Sequence, residues 1–317
     1  MDIQELNLLM DKAGNNINIV NAFAKTWDII DRYRYPVCSI SGGADSDIML
    51  DIIQRFDSDK RVRYVWFNTG LEYSATKRHL NFLEEKYAIN IERVNAVKSI
   101  PQCCKEYGQP FLSKLVSEMI SRLQKSNFDF SDMSYDDMIA NYPAAATNWW
   151  HSRYKGTLSI SRYKRLKDFL IAHPPRFRIS NACCNYAKKK AAKNFITDNN
   201  IDLNIIGVRK AEGGIRSMLQ SCFTGDTEHG TFRPLFFFNE QDKINYCQIF
   251  GVTHSECYTK YGLKRTGCAG CPFNRAVFKE LEAVKDYEAG LVKAASNIFK
   301  ESYEYTKLYR EFCSSSS

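Results

Sequence analysis

The chain has 317 residues, of which 44% are hydrophobic and 25% charged, and its formal net charge is +8. With 16 glycines and 8 prolines it is neither low-complexity nor collagen-like, and it is long enough for one large domain or a core with a smaller companion. The positive balance suits anionic ligands, nucleotides or nucleic acid, and an ordinary basic surface equally well.

No run of eighteen apolar residues is present, and the N-terminal segment lacks a basic stretch followed by an apolar one. The expectation is a chain with no membrane span and no signal peptide, residing in the cytoplasm. In that reducing setting eleven cysteines pose a metal or redox question rather than a disulfide framework.

Strand and helix patterns alternate through the first third. The apolar run 35–41 predicts a strand, followed by the turn Ser41-Gly42-Gly43-Ala44-Asp45-Ser46. Met49, Ile52, Ile53 and Phe56 then recur at helical spacing over 45–56. A second strand is expected over 61–70, a helix over 74–88 and a third strand over 89–95. This alternation argues for a parallel sheet covered on both faces. Residues 111–172 carry helical patterns around a polar, aromatic stretch and read as a helical insertion; 202–212 returns the chain to the sheet as a buried strand. From 277 the pattern is helical and charged, ending in a serine tail expected to fray. The expected division is thus a core over 1–275 with its insertion at about 111–172, and a helical extension over 276–317.

A glycine turn between a strand and a helix favours an anion. The glycines permit close approach, and the first helical turn offers unpaired N–H groups aligned with the helix dipole. Ser41 and Ser46 can donate to phosphate oxygens, and Asp45 can hold a divalent ion such as Mg²⁺. Neither a Walker A loop nor a G-x-G-x-x-G fingerprint is present.

Six of the cysteines fall in pairs: Cys103–Cys104, Cys183–Cys184, and Cys268–Cys271 in a C-x-x-C turn followed by proline. A C-x-x-C turn lets two thiolates converge on one metal ion or cluster. Spacing alone leaves open which adjacent pair completes the set, and whether the centre is iron–sulfur or zinc.

The glycine turn resembles the S-G-G-x-D-S loop of the PP-loop superfamily, which contains the adenine nucleotide alpha hydrolase-like proteins and the phosphoadenosine phosphosulfate (PAPS) reductase family. An adjacent cysteine pair followed, after 83 intervening residues, by C-x-x-C is similar to the [4Fe–4S] signature of iron–sulfur adenylylsulfate reductases. The resemblance implies a Rossmann-like α/β fold and a [4Fe–4S] cluster on Cys183, Cys184, Cys268 and Cys271, with zinc as the alternative. Lys188, Lys189 and Lys190 after the first pair, with Lys264 and Arg265 before the second, would offset a net negative cluster. Cys103 and Cys104 fall too early for the family spacing and are expected to be ordinary thiols.

Residues 66–76 resemble the family's Asp-Thr-Gly segment beside the nucleotide, with Asn68 in place of the aspartate before Thr69 and Gly70. Residues 207–216 resemble its oxyanion-gripping element, with Arg209, Glu212 and Arg216 matching and Gly213 replacing a serine. The implied nucleotide site is Ser39, Ser41, Gly42, Gly43, Asp45, Ser46, Asn68, Thr69, Gly70 and Arg209, with Asp45, Arg209 and Arg216 catalytic.

Within the family the intact loop points to ATP, cleaved between the α and β phosphates to adenylate a substrate for sulfur transfer. The PAPS-reductase-like proteins associated with DNA phosphorothioation and the cluster-dependent tRNA thiolases combine such a loop with cysteines. The alternative is a reductase making sulfite from adenylylsulfate or its 3′-phosphate, with Cys313 as nucleophile, although the expected flanking glycine and histidine are missing. A third reading is a non-catalytic nucleic-acid-binding partner using the aromatic, basic stretch 148–167, unless Trp149 and Trp150 are core. The candidate partners are an adenine nucleotide, a sulfur donor or reductant protein, a nucleic-acid substrate and a second copy of the chain.

Overall fold

A computed structural model describes residues 2–315; Ser316 and Ser317, the end of the tail expected to fray, lie outside the described residues. In chain order the first elements are α1 (Ile3–Ala13), α2 (Ile17–Ile30), β1 (Pro36–Ser39), α3 (Ala44–Phe56), β2 (Arg63–Asn68), α4 (Ser74–Tyr87) and β3 (Ile91–Asn95). A helical stretch follows: α5 (Ile100–Tyr107), α6 (Lys114–Lys125), α7 (Tyr135–Asn141), α8 (Ala144–Trp150), α9 (Leu166–Ala172), α10 (Ala182–Cys184) and α11 (Lys190–Asp198). The rest comprises β4 (Leu203–Ile205), β5 (Phe223–Gly225), β6 (Gly230–Phe232), α12 (Glu240–Phe250), α13 (Glu256–Thr259), α14 (Val277–Val284), α15 (Ala289–Ile298) and α16 (Lys300–Ser314).

These elements form two compact units. The first contains Met1–Asn68, Glu72–Asn95 and Ala191–Gly267; the second contains Thr69–Leu71, Ala96–Lys190 and Cys268–Ser317. The expected insertion and the helices from 277 onward therefore fall in the same unit.

The first unit is built on a six-stranded sheet of order β3-β2-β1-β4-β6-β5. Its pairings are parallel except β5–β6. The parallel-sheet α/β architecture expected from the alternating pattern, in the Rossmann-like form that the resemblance implies, is present. Alternation along the strands explains why both faces are covered: Val37 and Val65 pack with Phe195 and Ile201, while Cys38, Tyr64 and Trp66 join the larger core. That larger core holds Ile19 and Phe23 of α2, Ile48, Met49, Ile52 and Ile53 of α3, and Tyr246 of α12.

Chain order reverses at β1. The chain steps from β1 to β2 and β3 on one side, and β4 later pairs on the other. In open α/β sheets ligands bind outside the carboxyl ends of the strands at such a switch point. The glycine turn leaves β1 there.

The second unit is helical around an aromatic core. Phe111, Val116, Ile120, Trp149, Trp150 and Phe169 pack together, with Tyr305 and Tyr309 of α16 completing it. Trp149 and Trp150 are fully buried, so they offer no surface on which bases could stack. No described helix is long and apolar enough to cross a membrane.

Candidate functional site

The glycine turn is held open by its neighbours in the first unit. Gly42 has φ +67°, and a Cβ there would sit 2.8 Å from the Thr76 methyl. A Cβ on Gly43 would sit 2.7 Å from the Thr266 hydroxyl and 3.3 Å from that of Tyr258, so both positions are confined to glycine for lack of room. Around them hydroxyls take the backbone donors. The Gly43 N–H donates to Ser46 Oγ (3.1 Å) and Ser41 Oγ (3.3 Å), and the Ala44 N–H donates to the Tyr258 hydroxyl (3.0 Å). Ser46 Oγ donates in turn to the Gly43 carbonyl at 2.8 Å, which closes the first turn of α3. Hydroxyl oxygens thus stand where the oxygens of a bound anion can replace them.

Asp45, next in the loop, is paired with two cations. Arg209 Nε donates to its Oδ2 at 3.0 Å, and Lys243 Nζ lies 2.8 Å from Oδ1. Arg209 is buried and otherwise committed, with Nη2 donating to Glu240 at 2.7 Å and Nη1 to the Phe238 carbonyl at 3.4 Å. Burial works against the charge of Lys243, but the bond to Asp45 outweighs it and its pKa is raised. With both oxygens facing cations, Asp45 does not fit a Mg²⁺ ligand as it stands, since Lys243 would have to leave. Its evident work is to hold Arg209 and Lys243 at the head of α3.

The remaining expected residues fall in both units. Ser39 closes β1, and Asn68 closes β2 with its amide donating to Asn95 Oδ1 at 3.1 Å. Thr69 and Gly70 belong to the second unit, where Thr69 is buried with its hydroxyl 3.5 Å from Cys268 Sγ. Arg216 is half-exposed on a short 3₁₀ turn and pairs with Glu212. Sequence reasoning missed Lys243, Tyr258 and Thr266, whose local sequence carries no signal for contact with a loop about two hundred residues earlier.

The paired cysteines gather in the second unit. Gly108, with φ +107° and no room for a Cβ (2.1 Å from the Arg178 carbonyl oxygen), ends α5 and lets Gln109 bridge to Ile179. Gln109 N–H donates to the Arg178 carbonyl at 2.8 Å and Ser180 N–H to the Gln109 carbonyl at 3.0 Å. This bridge ties the helix bearing Cys103 and Cys104 to the segment entering Cys183 and Cys184. A π-turn over Asn185–Lys189 follows that pair. On the other side the Ala269 N–H donates to the Leu71 carbonyl at 2.8 Å, anchoring the Cys268–Cys271 turn.

The thiols act on one another. The neighbouring Cys184, with burial, raises Cys183; Cys183 lowers Cys184 against burial, with Lys114, Lys188 and Lys189 adding to the effect. Burial pushes Cys104 up to about 12, and the neighbouring Cys103, Cys271, Cys184 and Cys268 add to it. Cys104, read from the sequence as an ordinary thiol, is therefore buried as expected but lies among the sulfurs of the other two pairs. Among the described residues no three His, Cys, Asp or Glu side chains are drawn together as ligands of one metal ion. The residue types are nonetheless those of a thiolate-ligated centre, cysteine sulfurs with Lys114, Lys188 and Lys189 near Cys184 to offset negative charge.

The comparisons with known proteins agree with this geometry at the level of family. The chain matches the family model "Phosphoadenosine phosphosulfate reductase domain" over residues 35–127 and 149–274. Among curated proteins the comparison finds no match. One similar solved structure is a phosphoadenylyl-sulfate (PAPS) reductase from Candida auris in a phosphate complex. It has 11% identity and a TM-score of 0.44, and the alignment covers 84% of this chain and 96% of that one. Another is the U34-tRNA thiolase NcsA from Methanococcus maripaludis with its [4Fe–4S] cluster, at 12% identity and a TM-score of 0.40, covering 96% of this chain and 83% of that one. With the family match spanning most of the chain and taking in the glycine turn and both later cysteine pairs, this protein belongs to the phosphoadenosine phosphosulfate reductase domain family.

Proposed function

We propose that the chain is a PP-loop enzyme that cleaves ATP between the α and β phosphates, adenylating an acceptor oxygen that sulfur later displaces. The observation that carries this reading is the unaltered turn Ser41-Gly42-Gly43-Ala44-Asp45-Ser46 at the switch point of the sheet, with its donors satisfied by exchangeable hydroxyls. The pyrophosphate end of ATP would displace the Ser41, Ser46 and Tyr258 oxygens from the Gly43 and Ala44 amides. Arg209 and Lys243, held by Asp45, would place positive charge beside the phosphates as the leaving pyrophosphate gains negative charge. Arg216 would reach the nucleotide by leaving Glu212. Ser39, Asn68, Thr69 and Gly70 remain candidates for contacts to the nucleoside, and any Mg²⁺ would arrive on the nucleotide rather than on Asp45.

Cys183, Cys184, Cys268 and Cys271 would hold a [4Fe–4S] cluster, supplying iron to bind sulfur. The acceptor is proposed to be a nucleic acid or a small metabolite, and the sulfur donor a separate protein.

The test is an anaerobic preparation assayed for iron and sulfide, then offered ATP and, separately, the two sulfonucleotides. Pyrophosphate from ATP without sulfite from either sulfonucleotide is the expected result. Sulfite formation abolished by Cys313→Ser would replace this reading with the reductase one, and a zinc-only protein would remove the cluster.

A further inference from the structure

A second group of reactive side chains lies in the first unit, apart from the paired cysteines. Asp47, in the first turn of α3, is fully buried and joins two imidazoles. His79 Nε2 lies 3.0 Å from its Oδ1, and His254 Nδ1 lies 2.9 Å from its Oδ2. The other nitrogen of His254, Nε2, lies 3.4 Å from Cys247 Sγ. Thiol, imidazole and buried carboxylate therefore stand in line, each within hydrogen-bond reach of the next. Cys247 is partly accessible on α12, and the His254 side chain is 23% exposed.

This is the order of groups that activates a nucleophile: a thiol beside a base, with the base oriented by a third group. Burial opposes the charge of His254, yet the bonds to Asp47 and Cys247 prevail and its pKa rises to about 9. The thiolate is the reacting form of a cysteine, and a neighbouring imidazole is where its proton can go. The groups facing His254 are Asp47, Cys247 and, with ring centroids 5.8 Å apart, Tyr258. Tyr258 in turn accepts the Ala44 N–H at 3.0 Å, and the Asp47 N–H donates to the Gly43 carbonyl at 3.0 Å. The line of groups is thus built onto the glycine turn itself.

We propose that Cys247, His254 and Asp47 form a sulfur-accepting relay in which Cys247 takes the outer sulfur of a persulfide. The proton of the Cys247 thiol moves to His254 Nε2, and the thiolate attacks the terminal sulfur of R–S–SH. A Cys247–sulfur bond forms, the S–S bond to R breaks, and the R–S⁻ leaving group takes the proton from His254. One thiol and one persulfide become one persulfide and one thiol, so no external oxidant or reductant is needed. The place of this step within the overall reaction rests on the sulfur-transfer reading above; the reactivity of Cys247 does not.

The experiment uses the full chain with glutathione persulfide as probe, followed by alkylation and peptide mass mapping. Cys247 is expected to carry the added sulfur, forming at least tenfold faster than at the partly accessible Cys222 and Cys313. His254→Gln is expected to slow labelling of Cys247 at least tenfold at neutral pH, with the rate recovering as pH rises; Asp47→Asn is expected to act in the same direction. Iodoacetamide alkylation of the unmodified wild-type chain provides a second measurement that needs no variant to fold. Labelling of Cys247 no faster than of Cys222 and Cys313, or a His254→Gln chain of native melting temperature with unchanged rate and pH profile, overturns the proposal. Pyrophosphate release from ATP in the same preparations reports on the adenylation reading separately, so either can fail alone.

Discussion

In the first unit each carboxylate of α3 meets its complement. Asp45 faces Arg209 and Lys243, Asp47 faces His79 and His254, and Asp51 accepts from Tyr87 (2.9 Å) and Tyr246 (2.7 Å) beside Arg55. In the second unit like faces like: Cys104, Cys183, Cys184, Cys268 and Cys271 each disfavour or compete for ionisation of a neighbour. Buried groups of opposite charge stabilise one another without a ligand, whereas crowded thiols can ionise together only when a cation joins them. The first arrangement is complete in the protein alone; in the proposed reading a cationic centre would complete the second.

That contrast can be broken by substitutions that separate the units. Asp45→Asn is expected to lower pyrophosphate release from ATP by roughly 10²–10³-fold, the range for a lost preorganised charge contact, and to leave bound iron unchanged. Cys184→Ser should do the reverse to iron, stripping most of it in a metal assay. Equal loss of both properties in either variant would show that the two sets act as one. Trp150→Ala removes a fully buried ring of the second unit and should cost about 3–5 kcal/mol in urea unfolding, with the first unit's ATP chemistry retained. Lys243→Met takes away one of the two cations on Asp45, and a loss of roughly tenfold in kcat/KM for ATP, about 1.4 kcal/mol, is expected.

The smallest effect concerns pH. The folded pKa of His254, about 9, lies above its ordinary 6.5, so its contribution to stability is full below about 6.5 and is lost as pH rises through 9. Melting temperature measured from pH 6.5 to 9 should fall more steeply in the wild type than in His254→Gln.

How much of this was legible in the sequence differs along the chain. The strand–turn–helix over 36–56 was readable because local alternation, paired glycines and helical spacing act over a few residues. Strands β2, β3 and β4 fell within their expected segments for the same reason. The helices α1 and α2 went unread although Asp2 and Asn16 cap them and Ile19, Phe23 and Ile30 recur at helical spacing in α2. The strands β5 and β6 went unread because they are mostly exposed or half-buried and carry no apolar run. Lys243 and Tyr258 reach the loop through folding of the whole unit, and no local pattern marks such a contact. Cys104 is the same case in the second unit: its place among the other sulfurs depends on the Gln109–Ile179 bridge, a contact across 70 residues of sequence.

The interleaving of the two units has a consequence for how the chain is made. Central strand β1 pairs with β4 through Pro36↔Leu203, so the sheet cannot close until the ribosome has released the whole helical segment between them. Until then β1 has only β2 beside it, and its other edge, bearing the turn that follows it, awaits a partner. The cysteine turn at 268–271 emerges later still. Synthesis therefore sets a sequence of events in which the sheet can be completed before the last two paired cysteines are available.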